Sequence, residues 1–155
     1  MEKNVTNKAN PIKIPGWFVS PRWLAEQSPV DGLQIIGVNR GAQEQLHMLP
    51  GATLLSCRAL IETQKGVEGM RKSPQALAEL FSQLGINLDT PVVAYDDTAG
   101  MDAGRLVWTL VTMGHEQCAI LDGGAAAWQA EGFPVEKLDK TEEIRASEKT
   151  GKIEK

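Results

Sequence analysis

Three carboxylates crowd one short stretch of this chain: Asp96 and Asp97 stand side by side, and Asp102 follows after Thr98, Ala99, Gly100 and Met101. Carboxylates this close together have two elementary uses. They can gather a divalent cation, or they can accept the unpaired backbone N–H groups where a helix begins. The neighbouring residues favour the second use. Pro91-Val-Val-Ala-Tyr95 is a short apolar run of strand type, and Ala103-Gly-Arg105-Leu-Val-Trp108 opens a helix. A strand ending in a polar loop that feeds a helix is where parallel α/β sheets place their ligand crevice. Asp102 falls in the helix's first turn, where the dipole favours negative charge. Arg105, one turn in, is expected to pair with a loop aspartate and fix the loop. The loop holds no cysteine, serine or histidine, so the usual nucleophiles of covalent catalysis are absent from it.

The remaining residues of chemical interest are scattered. Cys57 follows Leu54-Leu55 and adjoins Arg58, a cation that could lower a thiol's pKa; without a Gly-rich anion cradle beside it, it reads as an inert thiol. Cys118 lies inside an apolar run and reads as a core residue. His47 sits in a loop before Pro50, and His115 follows Gly114 at the end of a helix; neither has a cysteine or second histidine nearby, so both read as structural. No metal site and no cofactor is expected.

The elements that must position the acidic loop follow from punctuation and periodicity. Ser20-Pro21 and Ser73-Pro74 each pair a helix N-cap with a proline at the first helical position. They predict helices from Pro21 to Gln27, with Trp23 and Leu24 turned inward, and from Pro74 through Leu77, Leu80, Phe81 and Leu84 to a stop at Gly85. Trp17-Phe18-Val19, Leu33 to Val38, Ala52 to Leu55, Pro91 to Tyr95 and Cys118 to Leu121 read as strands. Helices are expected from Met101 to Met113 and from Gly124 through Trp128, and residues 61–72 as a loop. Strands alternating with helices predict an α/β fold with a parallel sheet of about five strands and helices on both faces. Residues 1–16 read as a flexible arm, 17–136 as the domain, and 137–155 as a charged tail or linker.

At 155 residues with 42% hydrophobic and 23% charged residues, the chain suits one soluble domain. A net charge of −4 argues against a nucleic-acid partner. No apolar run approaches the length of a membrane span, so no membrane partner is expected. The polar N-terminus predicts a cytoplasmic protein.

Several segments, taken in order, resemble one family. Phe18-Val-Ser-Pro-Arg-Trp-Leu-Ala25, Leu46-His-Met-Leu-Pro-Gly-Ala52, Val92-Val-Ala-Tyr-Asp-Asp97, Ala103-Gly-Arg-Leu-Val-Trp108, Gly114-His115 and Ile120-Leu-Asp-Gly-Gly124-Ala-Ala-Ala-Trp128 look like a rhodanese-type sulfurtransferase domain. The likeness is nearest to the silent N-terminal domain of two-domain thiosulfate and 3-mercaptopyruvate sulfurtransferases. The resemblance implies that residues 96–101 correspond to the family's active-site loop, with Asp96 where the catalytic domain carries its sulfur-accepting cysteine. Gly37 stands where the family usually has an aspartate, which removes an acceptor at that strand's end.

These resemblances imply a domain that is silent by itself and serves as structural or binding partner of a catalytic rhodanese domain, or as part of a homo-oligomer. Met48, Leu49 and Met101 are expected on the docking side. Two alternatives stay open: an active sulfurtransferase working through Cys57 or within a complex, and a module binding an anion or metabolite at the Thr98-Ala99-Gly100 backbone. The adjacent aspartates lack the one-residue spacing of haloacid-dehalogenase phosphatases.

Overall fold

A computed structural model describes residues 12–27, 32–40 and 47–136. The first eleven residues of the expected arm and the expected tail from 137 onward lie outside the described residues. Among the described residues, seven strands and four helices follow in the order β1 (Phe18–Val19), α1 (Pro21–Gln27), β2 (Gln34–Asn39), β3 (Thr53–Ser56), β4 (Ile61–Gln64), β5 (Val67–Arg71), α2 (Pro74–Gln83), β6 (Val92–Tyr95), α3 (Met101–Thr112), β7 (Cys118–Leu121) and α4 (Gly124–Ala130). A 3-10 turn, Cys57–Leu60, links β3 to β4.

The central sheet has five strands in the order β1-β7-β6-β2-β3, and all of its pairings are parallel. The strands carry apolar runs without polar alternation because both faces are covered. Every residue of β6 is buried, as are Ile35 to Asn39 of β2. On one face Ile36, Val38, Leu55, Val92, Ala94 and Cys118 pack against Leu77, Leu80 and Phe81 of α2 and against Ala103, Leu106, Val107 and Leu110 of α3. On the other, Val19, Ile35, Val93, Tyr95, Ala119 and Leu121 meet Leu24 of α1 and Ala125 and Trp128 of α4. Each fully buried Val, Leu, Ile or Phe among them contributes about 1.5–3 kcal/mol.

Local chemistry sets the helix ends. The Ser20 hydroxyl accepts from Trp23 N at 3.0 Å, and the Ser73 hydroxyl from Ala76 N at 3.2 Å, as the Ser-Pro pairs predict. Helix α2 stops where Gly85 turns left-handed, with Ile86 N donating to Phe81 O at 2.8 Å. The indole N–H of Trp128 donates to Pro134 O at 2.7 Å and its ring lies 4.8 Å from that of Phe133, closing the chain after α4.

One expected loop is not a loop. Residues 61–72 form an antiparallel hairpin, β4 paired with β5, turning through Lys65 and Gly66, both at positive φ. Gly66 and Gly69 read as breakers because glycine weakens strands in general. Here Gly66 serves the turn, and Gly69 takes a positive φ inside β5, a conformation that favours glycine. The expected arm also has an anchored end: Ile14 is buried and its N–H donates to the Gln117 side chain at 2.9 Å.

Candidate functional site: the loop between β6 and α3

The carboxyl end of β6 delivers Asp96 into the turn that starts α3. Its carboxylate is 3% exposed and accepts three backbone N–H bonds, from Thr98 at 3.0 Å and Gly100 at 2.9 Å on Oδ1 and from Ala103 at 2.6 Å on Oδ2. Two consecutive left-handed residues, Ala99 at φ 56° and Gly100 at φ 92°, curl the loop so that these N–H groups converge. The cradle would suit an anion; it is filled by the chain's own anion. Gly100, at the N-cap position, has no side chain to cap α3, and Asp96 supplies the missing acceptor from four residues upstream.

Asp102 builds a second layer. Its Oδ1 accepts from Arg40 Nε at 3.1 Å and its Oδ2 from the Thr98 hydroxyl at 3.0 Å, while Asp102 N donates back to Thr98 Oγ at 3.3 Å. Arg40 is the residue that sequence reasoning missed. The signal was available, since it directly follows β2, the sheet neighbour of β6, and parallel neighbours present their carboxyl ends to the same crevice. Arg105, expected to hold a loop aspartate, does not. Its guanidinium donates to Gly69 O of the hairpin at 2.6 Å and lies 4.9 Å from the Trp108 ring centre. Asp102, three residues earlier on the same helix, is already paired with Arg40, and the Arg105 side chain reaches the hairpin carbonyl instead. Arg105 therefore ties the hairpin to α3.

The other side chains named from sequence divide by burial. Asp97 and Met101 are exposed, Met101 by 65%. Met48 and Leu49 are buried, contrary to their expected place on a docking side. They are drawn in by Tyr95, whose hydroxyl donates to His47 O at 2.9 Å and accepts from Leu49 N at 3.2 Å, and Met48 bridges to Glu136. Burial, partly offset by the Leu49 bond and reinforced by the Asp97 charge, pushes the Tyr95 phenol well above its ordinary value. Cys57 is half-buried at the start of the 3-10 turn, packed against the α2–α3 core, and lies on β3's side of the sheet rather than in the β6–α3 loop. Cys118 is buried, its thiol donating to His115 O at 3.6 Å, and burial raises it to about 11. His115 is buried with neither ring nitrogen hydrogen-bonded.

Chemically, the loop is an occupied cradle, its converging N–H groups already bonded to Asp96. Among the described residues no three His, Cys, Asp or Glu side chains are grouped to hold a metal ion. No helix among them is long and apolar enough to cross a membrane.

The sequence profile of the rhodanese-like domain matches residues 20–131, the whole of the sheet and its helices apart from β1. The chain belongs to the rhodanese-like family. It is 33% identical over 131 residues to the 3-mercaptopyruvate sulfurtransferase of Escherichia coli K12, covering 78% of this chain and 47% of the relative. It is 31% identical over 132 residues to the thiosulfate sulfurtransferase of Bos taurus, covering 76% of this chain and 44% of the relative. The solved structure of the 3-mercaptopyruvate enzyme SseA from E. coli superposes with a TM-score of 0.69 at 30% identity, over 79% of this chain and 50% of that one. This rhodanese-like chain thus spans about half the length of the curated relatives it matches.

Proposed function

We propose that this chain is a rhodanese-like domain without its own sulfur-transfer nucleophile, acting as a structural or binding partner of a catalytic sulfurtransferase domain. The observation that carries the reading is the Asp96 carboxylate filling the N–H cradle of the β6–α3 loop. Sulfur transfer needs a thiolate that attacks the outer sulfur of the donor. For thiosulfate, the S–S bond breaks, sulfite leaves with the electron pair, and the enzyme keeps a persulfide that passes its outer sulfur to a thiol or cyanide. A helix N-terminus that lowers a thiol's pKa would favour both the thiolate and the persulfide. A carboxylate gains the same stabilisation but forms no persulfide, so at Asp96 the cradle serves folding.

The alternative path through Cys57 would place the sulfur in the 3-10 turn after β3, outside the cradle of the β6–α3 loop. Anion binding at the Thr98 to Gly100 backbone would have to displace Asp96 from two of its three bonds. Cytoplasmic location belongs to the same proposal, supported by two cysteines outside any disulfide.

Intact-mass measurement after treatment with thiosulfate or 3-mercaptopyruvate tests the reading. The untreated mass is expected to persist. Gain of one sulfur atom, mapped to Cys57, would replace this proposal with the enzyme reading.

A further inference from the structure

An Asp-Gly-Gly turn, Asp122 to Gly124, passes the chain from β7 into α4. Asp122 and Gly123 are exposed, and Gly124 is buried. Among the described residues nothing hydrogen-bonds the Asp122 carboxylate, although the backbone around it is held: Asp122 N donates to Val19 O at 2.8 Å, and Gly123 O accepts from Ala127 N at 3.2 Å. Such a carboxylate is at liberty to fold back on its own chain. The next backbone nitrogen belongs to a glycine, so no Cβ shields it. Asp89, Asp96, Asp97 and Asp102 differ, since each is followed by a residue that carries a Cβ. Asp96 and Asp102 are also locked in hydrogen bonds.

We propose that Asp122 is a site of spontaneous modification, isomerising to isoaspartate, and that the change is transmitted to the Asp96 cradle. The Gly123 nitrogen attacks Asp122 Cγ and forms a C–N bond. A carboxyl C–O bond breaks, and the oxygen leaves as water with the proton lost from nitrogen. Water then opens the resulting cyclic imide. Opening at the α-carbonyl leaves Gly123 joined to Cγ, so the main chain runs through the former side chain and the composition is unchanged.

The product adds an atom to the backbone where there is no room for it. A Cβ at Gly123 would collide with Ala127 Cβ, and one at Gly124 with the Asp96 carbonyl oxygen. Both glycines are left-handed, with φ of 77° and 62°. A lengthened chain at Asp122 therefore displaces Gly124 from the Asp96 backbone. Asp96 in turn holds Gly100 N and Ala103 N through its carboxylate. Loosening spreads from the β7–α4 turn to the start of α3, as local opening does where few contacts are redundant.

Peptide mapping of the full chain after several weeks at neutral pH and body temperature tests the proposal, beside an Asp122→Glu variant. The longer side chain of glutamate closes a larger ring far more slowly, and position 122 is exposed, so the variant keeps the fold. Cleavage after arginine and lysine gives a peptide of residues 106–137 in which Asp122 is the only aspartate. The wild-type chain is expected to yield a second form of this peptide with the same mass, growing with time and identified as isoaspartate by electron-transfer fragmentation. The variant should yield a single form. In hydrogen exchange, residues 96–103 of the aged wild-type chain should split into two populations, the faster one matching the isoaspartate fraction. A wild-type peptide that stays in one form overturns the proposal, and so does isoaspartate at 122 with a single population at 96–103. No sulfur donor enters the assay, so its outcome is separate from that of the proposed function.

Discussion

Replacing Asp96 by alanine is expected to cost the fold about 3–5 kcal/mol. The magnitude follows from its three bonds. The Ala103 N–H is buried at 2.6 Å from Oδ2, so losing a charged acceptor there leaves a dry donor, worth about 2–3 kcal/mol. The Thr98 and Gly100 N–H groups, at 3.0 and 2.9 Å, are part-buried and can turn to water, adding about 0.5–1 kcal/mol each. Against a typical domain stability of 5–15 kcal/mol, such a loss is large. Asp96→Asn keeps one carbonyl acceptor but presents an N–H₂ group to a backbone N–H, and should lose about 2 kcal/mol. Asp97→Ala, one residue on and exposed, should change stability by less than about 0.5 kcal/mol. Urea titrations followed by tryptophan fluorescence give these differences by linear extrapolation. If Asp96→Ala stayed within about 0.5 kcal/mol of wild type, the filled cradle would have no structural weight and the role given to Asp96 would be wrong.

Further consequences can be measured in the same way. Gly124 has φ of 62° and an added Cβ would collide with the Asp96 carbonyl oxygen, so Gly124→Ala should destabilise by at least about 2 kcal/mol or abolish soluble expression. Tyr95→Phe removes both hydroxyl bonds to residues 47 and 49 and should cost about 1–3 kcal/mol in a thermal melt. The pH dependence on the alkaline side has a definite sign. Cys118 is raised from 9.0 to about 11 by burial, so the unfolded chain ionises first, and stability present below pH 9 falls as the pH rises towards 11. Cys118→Ala should flatten that fall while lowering the stability at neutral pH through the cavity it leaves.

Much of the fold was legible in the sequence because its signals are local. Both Ser-Pro pairs begin helices with the predicted caps, and the unalternating runs at Gln34–Asn39 and Val92–Tyr95 form central strands. The hairpin at Ile61–Arg71 was not legible, since its pairing depends on packing beside α3 and its glycines are the usual marks of a loop. At the candidate site, the capping use of Asp96 followed from its place before a helix. The partner of Asp102 did not, because Arg40 is distant in sequence and comes near only when β2 and β6 pair. Met48 and Leu49 are expected from sequence on the docking side, and they are buried beside long-range bonds to the Tyr95 hydroxyl. Burial set by a distant partner leaves no local pattern to read.

The most direct measurement is thiocyanate production from cyanide, with thiosulfate and with 3-mercaptopyruvate as donors, using the purified chain and its Cys57→Ser variant. A domain whose loop cradle is closed by Asp96 should give no turnover with either donor, and the variant should match it. Turnover by the wild-type chain that disappears in Cys57→Ser would show that this domain transfers sulfur by itself, through a residue outside the β6–α3 loop.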